Sequence, residues 1–234
     1  MTTNRMVTGT LLVVVPLVFT AGFTGLQMTF EYPDILRHPA GEVLAKFAAG
    51  GADLHLYWYA MMASALALIP AVIGAALLFW KNDSYLAALS AGFGILAGFV
   101  QALGLLRWVM LVPALAAMYT APGATEVQQA NAASIFDAAN AYLGMGVGEH
   151  LGYLFTALWS VTIALLMMRE HRYIATAGLV IAAGVVTGML EPFGVPLTGL
   201  INTVSYTLWA VWTLIVGVVV LRGERDARTV PVAA

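Results

Sequence analysis

Six stretches of this chain are almost free of charge, at about 7–30, 54–80, 85–114, 148–168, 173–190 and 195–221. An α-helix needs about 20 apolar residues to cross roughly 30 Å of hydrocarbon, and each stretch comes close to or exceeds that length. The polar residues gather in the intervals between them. This alternation predicts an all-α fold, a polytopic bundle of six transmembrane helices occupying residues 1–222 as one domain, with 223–234 as a flexible tail. Two of the intervals are minimal, Lys81-Asn82-Asp83-Ser84 and Arg169-Glu170-His171-Arg172, so the helices they join are antiparallel hairpins.

The longer intervals lie on the other side and carry helix signals of their own. In the first, Pro39 stands at a helix start, Glu42 and Lys46 are spaced to pair at i,i+4, and Gly50-Gly51 supplies the stop. Val43, Leu44 and Phe47 form one apolar face, the pattern of a short amphipathic helix at the interface. The second interval, 119–147, opens with Thr125-Glu126-Val127-Gln128, a capping-box pattern, and remains helix-compatible to about Tyr142. Gly144, Gly146 and Gly148 then weaken the helix where it enters the membrane. Gly144, Gly148 and Gly152 also make a four-residue stripe suited to close helix contact and to a kink.

Composition agrees with the pattern: 61% of the 234 residues are hydrophobic and 9% are charged, a balance that belongs to integral membrane proteins. The first apolar stretch follows a basic start at Arg5, but it exceeds the roughly 7–15 residues of a signal-peptide core and lacks a small-x-small cleavage site. It reads as the first membrane helix. Arg5, Lys81, Arg169, Arg172, Arg222, Arg225 and Arg228 share one side of a six-helix arrangement, and only Arg37 and Lys46 fall opposite. The positive-inside rule therefore places both termini in the cytoplasm and the intervals near 31–53, 119–147 and 191–196 outside. The expected setting is a membrane crossed in multiple passes, with the lipid bilayer as the constant partner. No dense basic patch supports nucleic-acid binding, and the absence of cysteine excludes disulfides and thiolate metal sites.

Within the apolar segments a few polar residues stand out. Arg107 lies in the third segment, 22 positions after Tyr85 and so roughly 33 Å along an ideal helix, near the outer boundary. It either snorkels to headgroups or faces inward, where a guanidinium needs partners. Glu149 is its candidate counter-ion or a proton carrier, and alternatively a carboxylate placed at a helix start. Asn202, Tyr206, Trp209 and Thr213 share a face of the last helix; interhelical hydrogen bonding explains them, as it does Gln101, with ligand contact as the alternative. His55, His150 and Glu149 are the candidate metal ligands, although no metal-ligand spacing such as His-Glu-x-x-His supports a metal or a bis-histidine haem. Glu191 closes the fifth helix in a proline-rich turn, and Trp108 with the aromatic residues at 57–59 reads as an interfacial belt.

Three motifs, Glu31-Tyr-Pro-Asp-Ile-Leu-Arg-His-Pro-Ala-Gly-Glu-Val-Leu-Ala-Lys-Phe47, Leu103-Gly-Leu-Leu-Arg-Trp108 and Leu143-Gly-Met-Gly-Val-Gly-Glu-His-Leu-Gly-Tyr153, resemble an uncharacterised bacterial membrane family catalogued as domain of unknown function 4386. The resemblance spans nearly the whole chain. It implies a bacterial six-helix membrane protein, set in the inner membrane, and supplies no activity.

Three functions compete. The first is an outward-facing polar cavity that binds a small or lipid-like ligand through Arg107, Glu149, His150, His55, Gln101, Glu191, Asn202 and Tyr206. The second is a membrane-embedded enzyme, in a metal- or haem-dependent form or without either, with Glu149 and His150 as acid-base candidates on a lipid or quinone-like substrate. The third is a structural subunit whose polar residues only lock helices together. No motif identifies a cofactor or a protein partner.

Overall fold

The computed structural model describes residues 2–228, with side chains over 3–223. Nine α-helices are described, with no strand among the described residues: α1 (Thr2–Phe30), α2 (Ala40–Ala49), α3 (Gly51–Phe79), α4 (Ser84–Leu106), α5 (Val112–Thr120), α6 (Glu126–Ala139), α7 (Gly152–Met167), α8 (Arg172–Val186) and α9 (Thr198–Arg228). A π-helical segment, Arg107–Leu111, joins α4 to α5 and another, Asn140–Leu151, joins α6 to α7; the 3-10 segment Thr187–Phe193 follows α8. Six continuous helical stretches are long and apolar enough to cross a membrane: Thr3–Phe30, Gly51–Phe79, Ser84–Thr120, Glu126–Met167, Arg172–Phe193 and Thr198–Gly223. The chain is a multi-pass membrane protein. Of the tail expected at 223–234, residues 229–234 lie outside the described residues.

The third and fourth spans are longer than the apolar pattern indicated. The interval expected over 119–147 shrinks to the turn at 121–125, because the Thr125 hydroxyl accepts from the Gln128 amide while Gln128 reaches back to the Thr125 amide, and α6 runs from that box without a break into α7. Gly123, at φ 79°, makes the turn possible. Two local causes widen the helices. Pro113 has no N–H and its ring crowds the carbonyl four residues back, so the preceding turn relaxes into the π segment 107–111. Around Gly144, Gly146 and Gly148 the expected kink is instead a long π-helical stretch, where missing side chains leave the backbone free to unwind.

The chain forms two compact units. One comprises residues 1–17, 66–99 and 150–234. In it α7, α8 and α9 pack side by side through small residues: Gly178 lies under the Trp212 indole and Gly184 against Ser205. Polar side chains tie the helices together. Trp209 donates to Ser160 Oγ at 2.9 Å, Trp212 donates to the Ile174 carbonyl at 2.8 Å, and Tyr206 donates to Thr156 Oγ1 at 3.2 Å.

The other unit comprises residues 18–65 and 100–149. Here α2, α5 and α6 pack on one another, and the apolar face anticipated for α2, Val43, Leu44 and Phe47, is fully buried. The i,i+4 pairing expected of Lys46 with Glu42 is replaced. Lys46 reaches Glu31 at 2.7 Å, while Glu42 takes His38 at 3.0 Å, because the chain leaving α1 turns at Glu31 (φ 56°) and brings that carboxylate back over α2. Lys46 holds the Glu31 carboxyl below its ordinary range. Gly51, at φ 65°, makes the reversal from α2 into α3.

Candidate functional site

The second unit is built around an aromatic stack. Trp58 of α3 and Trp108 of the first π segment lie parallel, 4.3 Å apart and 4° from coplanar, and neither exposes any surface. Phe30 stands edge-on to both, Phe47 lies against Trp108 at 6.0 Å, and Tyr32 stands edge-on to Trp58 at 5.1 Å. The interfacial belt expected of these tryptophans is thus a buried core, because α2 and α6 cover the end of the helices that bear it. Tyr59, more than half exposed, keeps the belt character.

Arg107 is packed into this core and is 6% exposed. Its guanidinium carbon lies 5.3 Å from the Trp108 ring centroid. Nη1 donates to the Gly104 carbonyl of its own helix, and Nη2 donates to Asn140 Oδ1 at 3.0 Å. The seat for the guanidinium is Gly144: a Cβ there would fall 2.6 Å from Nη2 and 2.8 Å from Cζ. One contact further along, Gly104 and Gly148 meet backbone to backbone, with a Cβ on Gly104 falling 2.6 Å from the Gly148 Cα. The glycine stripe therefore gives the close helix approach that the sequence suggested and, beyond that suggestion, makes room for a large charged group. Snorkelling is ruled out for Arg107 by this geometry.

Glu149, half-buried at the end of the second π segment, exerts an electrostatic pull on Arg107, and both act on the phenol of Tyr32. Burial, reinforced by Glu149 and opposed by Arg107, pushes the Tyr32 hydroxyl up to about 12, so it stays protonated at neutral pH. Three buried nitrogens of this cluster, Arg107 Nε, Trp58 Nε1 and Trp108 Nε1, have no hydrogen-bond acceptor among the described residues.

The other candidates divide. Gln101 is half-buried on α4 in the same unit as Arg107. His55 is exposed at the start of α3, where Nδ1 meets the Gly51 carbonyl at 2.9 Å and the ring stands edge-on to Phe47. His150, Glu191, Asn202 and Tyr206 belong to the first unit. Asn202 is buried and donates to the Val185 carbonyl near the end of α8 at 2.7 Å, and the Glu191 carboxylate is exposed beside Gly199. Among the described residues no three His, Cys, Asp or Glu side chains gather to hold a metal ion. Sequence reasoning missed Tyr32 and Asn140. Asn140 precedes Gly144 and Gly148 at four-residue spacing, a signal that was readable; Tyr32 lies in a loop and gave none.

Helical spans with an enclosed polar and aromatic core outside the apolar contacts define a membrane protein with a built, charged interior. The chain matches the model of the family described as domain of unknown function (DUF4386) over residues 7–223, and it belongs to that family. No curated protein and no solved structure gave a significant match.

Proposed function

We propose that this protein binds a small anionic or lipid-like ligand beside Arg107, entering from the non-cytoplasmic side of a bacterial inner membrane, with both termini in the cytoplasm. The observation that carries the reading is the set of three acceptor-less donors, Arg107 Nε, Trp58 Nε1 and Trp108 Nε1, in one buried cluster. Each unsatisfied buried donor costs on the order of 1–3 kcal/mol, so the cluster forgoes several kcal/mol that an oxygen-rich ligand returns by accepting from it. Tyr32, protonated at neutral pH, adds a hydroxyl donor, and Glu149 tunes the charge. Both polar partners of the guanidinium sit on or beside π-helical segments, which recur at functional sites.

Native mass spectrometry of the detergent-extracted protein tests the proposal. Wild type retains a non-protein adduct, and R107Q and W108F lose it while keeping normal yield and helicity. Retention of the same adduct by R107Q overturns the reading. A second reading, a structural clamp, is favoured by the two hydrogen bonds that Arg107 already makes inside the protein. It expects R107Q to lower the unfolding temperature with nothing lost from the mass spectrum.

A further inference from the structure

Away from the Arg107 cluster, α8 and α9 leave an open groove of about 630 Å³ between them. Ala177, Val180, Ile181 and Leu208 make its wall apolar. Val180 and Leu208 are 68% and 49% exposed, so this wall is an apolar surface on a membrane-spanning hairpin, suited to a hydrocarbon. At one end the wall changes character. Arg172 and Tyr173, both exposed, close the groove at the first turn of α8, about 13 Å along the helix from Ile181.

The guanidinium there is oriented. Arg172 Nη2 donates to the Tyr173 hydroxyl, and its Cζ stands 4.6 Å over the Tyr173 ring, which holds the cation at the groove mouth without neutralising it. No hydrogen bond or ion pair engages its remaining nitrogens among the described residues. Arg169, exposed three positions earlier, adds a second cation against the single carboxylate of Glu170. A hydrocarbon channel ending in a fixed, unneutralised cation matches one molecule that surrounds every membrane protein. We infer that this groove is a site for an anionic phospholipid, with one acyl chain along Ala177, Val180 and Leu208 and the phosphate on Arg172.

The mixed character of the groove sets the expectation. A neutral phospholipid fills the apolar part equally well but gains nothing from the charged end, whereas a basic residue at the membrane surface contributes about fivefold in affinity for an anionic one. Native mass spectrometry of the detergent-solubilised full chain, titrated with dioleoylphosphatidylglycerol or dioleoylphosphatidylcholine, reads this directly. Wild type takes up one saturable phosphatidylglycerol adduct, about fivefold tighter than phosphatidylcholine; R172Q erases that preference, R172K restores most of it, and A177W, which fills the groove, removes the saturable adduct of either lipid. Any adduct that R107Q removes belongs to the site proposed above, and the saturable adduct counted here is the one that R107Q keeps, which separates the two sites. Equal binding of the two lipids by wild type, an undiminished preference in R172Q, or a saturable adduct surviving in A177W each overturns the inference. Both altered residues are exposed, and circular dichroism confirms that the variants fold.

Discussion

Replacing Gly144 with alanine tests the seat of Arg107 most directly. The new methyl carbon falls 2.6 Å from Nη2, 2.8 Å from Cζ and 3.0 Å from Asn140 Oδ1. The first two atoms belong to the tip of a flexible side chain, so the steric conflict is relieved by the guanidinium swinging away. The cost is what that movement breaks. The Nη2 bond to Asn140 is charge-assisted and buried, worth about 1.5–3 kcal/mol, while alanine regains up to about 1 kcal/mol of backbone entropy over glycine. The net expectation is a destabilisation of about 0.5–2 kcal/mol. Gly146, two residues on, is the internal control. A Cβ there meets only the Ala141 carbonyl at 3.6 Å, an ordinary contact, so G146A is neutral or slightly stabilising. Reversible denaturation in mixed micelles, followed by circular dichroism, measures both variants. The sharper readout is the cycle with N140A: once Asn140 has lost its amide, G144A has no Asn140 bond left to break, and the two substitutions couple by about 1.5–3 kcal/mol. If G144A costs as much in the N140A background as in wild type, the methyl group is colliding with something other than this hydrogen bond and the geometry drawn for the site is wrong.

Two further outcomes follow from the same structure. The Tyr32 phenol, shifted from 10.0 to about 12, makes stability depend on alkaline pH: the folded state holds its proton more tightly, so the contribution is complete below pH 10 and disappears as the pH rises through about 12. Between pH 9 and pH 12 wild type loses about 2 kcal/mol that Y32F keeps, measured by denaturation at those two values, and parallel curves for the two proteins would contradict the burial of the hydroxyl. In the spanning core, S160A leaves the Trp209 indole N–H without its acceptor at 2.9 Å and costs about 0.6–1.7 kcal/mol, with W209F removing most of that penalty in the double variant.

How much of this was readable in advance varies with the range of the interaction. The spans, the capping box at Thr125, the amphipathic face of α2 and the close contact of the glycine stripe are local patterns, and each survives in the structure. The interhelical roles of Asn202 and Tyr206 followed from their spacing and from the expense of a free polar group in a membrane. What failed was whatever depended on which element covers which. Trp58 and Trp108 have the composition of an interfacial belt, and only the docking of α2 and α6 turns them inward. Lys46 chose Glu31 over Glu42 because a backbone reversal fifteen residues away delivers the carboxylate, which no i,i+4 rule anticipates. The fourth span looked shorter because alanine-rich α6, with Glu126, Gln128, Gln129, Asn131 and Asp137, is too polar to register as membrane helix, although its propensity is ample for a helix of any kind.

Those two long helices change what the buried arginine means. Counted from Ser84, Arg107 follows 23 residues of regular helix, about 35 Å, which already exceeds the roughly 30 Å of a hydrocarbon layer. The stretch Ser84–Thr120 continues for 13 residues beyond Arg107 and packs there against α2 and α6. Lipid is therefore not what keeps water from this guanidinium. Its dryness is made by protein, by the Trp58–Trp108 stack and the short helix α2 above it. An arginine in a membrane span is explained by function, by structural pairing or by snorkelling, and the last is removed by the burial of its guanidinium. A charge sealed by a protein cap is reachable from water whenever that cap moves. The end of α1 is fastened to α2 by the edge-on contact of Phe30 with Phe47 and by a solvent-reached ion pair, Lys46 to Glu31, which is a weak tether by its nature. The buried apolar face of α2, not this pair, thus sets how tightly the Arg107 cluster is closed, so shortening Phe47 would open it far more effectively than neutralising Lys46.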